Sequence, residues 1–128
     1  MTAEQALAEL MDLSSQVEAA LVLRGDGSVL ASSDEGSPVM DALARSALDL
    51  VAAAFELRSG QEVTRVEVEL EDGGVFVLRE GGRTIAARTA AGATPGLVVY
   101  DLRTCLEHID DAKPKRQRKP KEPTEEAE

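Results

Sequence analysis

From Pro38 to Gly60 the chain runs without an internal glycine or proline, and this stretch constrains the fold more than any other. Ser37 can cap free amides and Pro38 suits a first helical position, so one long helix is expected here, about 30 Å long if fully formed. At roughly 100° per residue, Val39, Leu43, Leu50 and Leu57 fall at one edge of an apolar arc, and Leu48 and Phe55 at the other. Met40, Ala44, Ala47, Val51 and Ala54 lie between them. The arc covers about half the circumference, whereas covering one core takes a stripe of roughly 100°. A single sheet face cannot easily hide all of it. Either one edge packs on the chain's own sheet and the other on a second copy or a different protein, or the first and third helices cover the excess. Alanine-rich helices pair closely, which favours the interface. The opposite side carries Asp41, Arg45, Asp49 and Glu56 among small alanines and faces water.

The remaining elements follow from caps and turns. Thr2 and Gln5 have capping-box spacing ahead of Leu7, Leu10 and Met11, which predicts a short first helix ending near Ser14-Ser15. Val17 to Arg24 and Ser28 to Ser32 read as two strands joined by Gly25-Asp26-Gly27. Three more strands are expected over Val63 to Leu70, Val75 to Glu80 and Arg83 to Thr89, with Glu71-Asp72-Gly73-Gly74 and Gly81-Gly82 as turns. Thr94-Pro95 repeats the cap-plus-proline signal and opens a third helix to about Asp110. The predicted order is α-β-β-α-β-β-β-α, an α+β fold with a five-stranded antiparallel sheet and flanking helices. One domain is expected over residues 1–110. From Lys113 the chain is rich in Lys, Arg, Pro and Glu, so residues 111–128 are expected to form a disordered charged tail.

Composition excludes several function classes. Of the 128 residues 43% are hydrophobic but only 2% aromatic, which leaves few rings to stack nucleobases, and a net charge of -10 repels nucleic acid and anionic membranes. The basic stretch from Lys113 to Lys121 is the exception. It suits an acidic partner or the domain's own acidic surface as well as a purely solubilising role. Cys105 is the single cysteine, and no signal segment or membrane-length apolar run is evident, so a cytoplasmic location is expected.

Catalytic chemistry is not visible. No phosphate-binding loop occurs, and Gly25, Gly27, Gly73, Gly74, Gly81 and Gly82 all read as turn residues. Cys105 and His108 are three apart on the third helix, but they lack an orienting group and an oxyanion site; a packed cysteine and a surface histidine are expected. Val66, Val68 and Leu70 alternate with Glu67, Glu69 and Glu71, giving one apolar face and a row of carboxylates that reads as solvated. No catalytic, cofactor-binding or metal-binding residue is assigned, and no cofactor is expected.

The stretch Val17-Glu18-Ala19-Ala20-Leu21-Val22-Leu23-Arg24-Gly25-Asp26-Gly27 resembles the first strand and hairpin of the roadblock (dynein light chain) family, which includes bacterial MglB-like members. Ala93-Thr94-Pro95-Gly96-Leu97-Val98-Val99-Tyr100-Asp101-Leu102-Arg103 resembles that family's entry into its final helix, and the likeness extends from residue 3 to about 110. The resemblance implies a profilin-like sheet and a homodimer made by pairing second helices and third strands. It places Val39, Leu43, Leu50, Ala54, Leu57, Val66 and Val68 in the dimer interface. It also implies a non-enzymatic platform or regulator for a small Ras-like GTPase, received near Asp41, Arg45, Asp49 and Glu56. Bacterial members of the family can stimulate GTP hydrolysis without supplying a catalytic arginine. The alternative is a small-molecule sensing domain with a pocket between sheet and long helix.

Overall fold

The computed structural model describes residues 1–58 and 61–109. Its elements are α1 (Ala3–Leu13), β1 (Val17–Leu23), β2 (Val29–Ser32), α2 (Pro38–Leu57), β3 (Arg65–Leu70), β4 (Gly73–Glu80), β5 (Arg83–Ala90) and α3 (Pro95–Glu107). The five strands form one antiparallel sheet in the order β2-β1-β5-β4-β3. Class and element order are as the sequence leads one to expect. The expected tail at 111–128 lies outside the described residues.

The three central strands are buried on both faces, which explains their nearly continuous apolar runs. Ala20, Val22, Phe76, Leu78, Ile85 and Ala87 point to one side and pack with α1 and α3, through Leu7, Leu10, Val98, Leu102 and Leu106. Leu21, Leu23, Val77 and Ala86 point to the other side, where Met40, Leu43 and Ala47 of α2 cover them. The small side chains of Ala20, Ala86 and Ala87, all fully buried, leave room for helices to lie close on the sheet. Burying each of Leu7, Leu102 and Ile85 contributes about 1.5–3 kcal/mol.

Local chemistry sets the ends of the elements. The Thr2 hydroxyl accepts from the Gln5 amide at 3.1 Å and the Gln5 side chain accepts from the Thr2 amide at 2.9 Å, closing the capping box at α1. Ser37 caps α2 through the Val39 amide. At α3 the expected cap differs. Thr94 makes no side-chain capping bond, and its own amide donates instead to Gln16 Oε1 at 2.7 Å, tying the helix start to the α1–β1 connection.

Other boundaries shift for identifiable reasons. The β1–β2 turn spans residues 24–28, with Gly27 at φ 90° and the Asp26 carboxylate accepting from the Ser28 amide and hydroxyl. Those bonds hold the Asp26 carboxyl below its ordinary range. Gly73 and Gly74 are not turn residues: they open β4, paired with Ala90 and Thr89 of β5. A side chain at Gly73 would collide with the Thr89 carbonyl, and one at Gly74 would sit 2.9 Å from Thr89 Oγ1. Close strand approach therefore requires glycine there. The third strand begins at Arg65 instead of Val63, and α3 ends at Glu107, after which Ile109 turns in and is buried.

Candidate protein-binding face

The apolar arc of α2 is centred on the sheet. Ala47 and Met40, in the middle of the arc, are 0% and 4% exposed. Moving out from the centre, Leu43 is still buried, while Ala44, Leu50, Val51 and Ala54 are half-buried. Both edges then emerge. Val39 is 45% and Leu57 82% exposed on one side, Leu48 43% and Phe55 45% on the other. The sequence suggested that one edge would pack on the chain's own sheet; instead the sheet takes the centre and leaves both edges partly bare. Of the exposed edge residues, Leu48 finds a local support, its methyls lying over Gly27 in the β1–β2 turn.

The first and third helices do not cover this excess. Both pack on the opposite face of the sheet, so the covering arrangement considered from sequence is ruled out by topology. Beside α2 lies the edge strand β3, hydrogen-bonded only to β4 within the sheet. Val66 and Val68 share the α2 side and are half-buried, and Leu70, next along that row, is 57% exposed. An edge strand with such a row presents free backbone groups next to apolar side chains.

Of the residues assigned to a dimer interface, Val39, Leu50, Ala54, Leu57, Val66 and Val68 thus line one partly open surface, whereas Leu43 belongs to the chain's own core. Asp41, Arg45, Asp49 and Glu56 are all exposed on the outward side of α2. Leu48 and Phe55 were visible on the helical wheel as the second edge, but resemblance alone did not assign them to an interface. The edge position of β3 had no local signal, since strand order depends on long-range pairing.

The remaining candidates resolve simply. Cys105 is buried, and burial pushes its thiol up to about 11, with the Glu9 carboxylate adding to the effect. His108 pairs through Nδ1 with Glu9 Oε1 at 2.9 Å, at the surface. Among the described residues, no group of three or more His, Cys, Asp or Glu is placed to hold a metal ion. No described helix is long and apolar enough to cross a membrane.

The family model described as the Roadblock/LC7 domain matches residues 3–89, from α1 to the end of β5. The chain belongs to the Roadblock/LC7 family. Among solved structures, a Roadblock/LC7 domain from Streptomyces avermitilis superposes with a TM-score of 0.71 at 20% identity, covering 84% of this chain and 93% of that one. The gliding protein MglB from Thermus thermophilus gives 0.69 at 20% identity, with 86% and 87% covered. An MglB with a tetrameric arrangement gives 0.68 at 21%, with 86% of each chain covered. These likenesses establish the fold of this Roadblock/LC7 domain. No curated protein matches the chain in sequence.

Proposed function

We propose that this Roadblock/LC7 domain works as a non-enzymatic homodimeric platform that binds and regulates a small Ras-like GTPase. The observation that carries the reading is the incomplete cover of α2: an apolar arc with both edges exposed, beside an edge strand whose apolar row is half open. A second copy related by a twofold axis would meet the same surface on itself, which suits a self-complementary helix pair and strand pair. Pairing β3 with its own copy would continue the sheet and satisfy its free backbone groups. Val39, Leu50, Ala54, Leu57, Val66 and Val68 would form the contact. The outward Asp41, Arg45, Asp49 and Glu56 would then lie on the exposed side of the paired helices, where a GTPase is received.

Family membership supports the GTPase partner, and the outward charges give that surface the polar character of a transient docking face. The sensor alternative called for a pocket between sheet and long helix. A cleft of about 240 Å³ does lie between β1–β2 and the first turn of α2, lined by Leu21, Val29, Met40 and Asp41 among others, and keeps the sensor as the second reading.

Two measurements test the reading in sequence. Sedimentation of the full chain should give a dimer at micromolar concentration, and a monomer would remove the reading's main support. The dimer should next be titrated with GTP-loaded Ras-like GTPases, beginning with any encoded beside this chain, while binding and hydrolysis are followed. A dimer that neither binds nor changes hydrolysis would leave the assembly in place and discard the GTPase assignment.

A further inference from the structure

On the face of the sheet opposite α2, a cleft of about 310 Å³ opens between the β3–β4 hairpin and the start of α3. Its floor is unusual in having two strand glycines, Gly73 and Gly74, beside Thr89 of β5. Thr89 is 2% exposed, and its hydroxyl is buried without a hydrogen-bond partner among the described residues. A buried hydroxyl left unpaired is destabilising and rare in folded proteins, so a hydrogen-bonding group, from water or from a ligand, is expected to meet it.

The groups around it share one chemistry. Glu67 and Glu69 project from β3 to this face, in register with Phe76 and Gly74, and both line the cleft. Glu67 already pairs with Arg65 at 2.9 Å, which leaves Glu69 as the carboxylate with charge to spare. Phe76 supplies an aromatic ring in the same wall. Carboxylate, hydroxyl and aromatic ring together form a recognition set for an organic cation: they offer an ion pair, a hydrogen-bond acceptor and a quadrupole. The volume lies at the low end of small-molecule sites.

We propose that this cleft binds a small aliphatic ammonium ion, its charge held by Glu69, its N–H donated to Thr89 Oγ1, and its apolar stem laid along Phe76. Gly74 keeps the approach open, since a methyl group there would sit 2.9 Å from Thr89 Oγ1 and 3.5 Å from the Phe76 ring. Pro95 brings the positive end of the α3 dipole to the rim. That end disfavours a cation beside it, so the ammonium belongs on the β3 side of the cleft at Glu69, and a single charge fits better than two. The inference is independent of the GTPase reading, because the cleft and the α2 surface lie on opposite faces of the sheet.

The test is calorimetric or NMR titration of the full chain with butylamine, and with butanol as its uncharged counterpart. Saturable binding of one butylamine per chain, without binding of butanol, is expected. Glu69→Gln should weaken it about tenfold, as loss of a charge-assisted hydrogen bond does. Thr89→Val keeps the side-chain shape and should weaken binding while leaving the fold intact, which separates a binding role from a structural one. Glu18→Gln, an exposed carboxylate outside the cleft, should have no effect. Absence of saturable butylamine binding would overturn the proposal. So would equal weakening by Glu18→Gln and Glu69→Gln, because attraction would then come from the net negative charge alone, and so would undiminished binding by Thr89→Val.

Discussion

The two faces of the sheet are covered to different depths. On one, α1 and α3 together close over Val22, Leu78, Ile85 and Ala87, and Leu102 between them is fully buried. On the other, α2 alone seals Leu21, Leu23, Val77 and Ala86 with the centre of its arc and leaves Val39, Leu48, Phe55 and Leu57 partly in water. The double-helix face also carries exposed side chains, Leu13, Leu97 and Tyr100, but they sit on helices whose inward sides are already satisfied. The contrast teaches that an apolar stripe wider than one face requires is informative only once the neighbouring helices are known to lie elsewhere. On α2 the surplus belongs to a surface still to be covered.

Substitutions at matched positions on the two faces test this difference. The largest effect is expected from Leu43→Asp, which would bury a carboxylate among Leu21, Met40 and Ala86 and should unfold the chain, as circular dichroism would register. On the opposite face, Leu102→Ala should cost about 2–5 kcal/mol in denaturant unfolding, because two helices and a sheet hold the cavity open. If Leu102→Ala were nearly neutral, that face would be far less tightly packed than its burial implies. Leu57→Asp and Val39→Asp should behave in the opposite sense. Each should change the stability of the isolated chain by no more than about 0.5 kcal/mol yet weaken self-association by roughly 2 kcal/mol if they lie near the centre of the contact. Sedimentation equilibrium separates the two quantities, and unaltered association would shift the interface away from this edge.

Much of this contrast could be read from residues alone. The half-circle of apolar side chains on α2, the Thr2–Gln5 capping box and the Ser37-Pro38 start are local signals, and each appears where periodicity and capping chemistry put it. What escaped is non-local. Nothing near Val66 says that β3 ends up at the sheet's edge, and nothing near Pro95 says that α3 lies across the sheet from α2. Leu43 shares an edge of the wheel with Val39 and Leu57, yet it is 5% exposed and packs with Leu21, Val77 and Ala86 in the chain's own core. Gly73 and Gly74 follow Glu71-Asp72 and so resemble a turn; their real constraint is Thr89, far along the chain at Gly74's partner position. The cleft they floor was invisible for the same reason.

Thr89→Val bears on the less exposed face and should have a smaller effect. Replacing an unpaired buried hydroxyl by a methyl group removes a desolvation penalty, so the free protein should gain about 1 kcal/mol in denaturant unfolding. A loss of stability would mean that the hydroxyl is already satisfied in solution.

The last test concerns Cys105, packed between α1 and α3. Its folded thiol ionises at about 11, against 9.0 for an unperturbed thiol, because burial disfavours the thiolate and Glu9 adds a like charge. The unfolded chain therefore releases this proton first as pH rises. Linkage then makes the stabilising contribution complete below pH 9.0 and progressively lost as pH climbs through about 11. Every other group contributes alike to the wild type and to a Cys105→Ala variant, so the difference between their stability–pH curves isolates the thiol. Wild-type stability should fall more steeply than that of Cys105→Ala between those two pH values, even though the variant starts lower because of the volume it loses. Parallel curves would show that the thiolate is tolerated, and hence that water reaches the α1–α3 seam; the closed face would then resemble the open one.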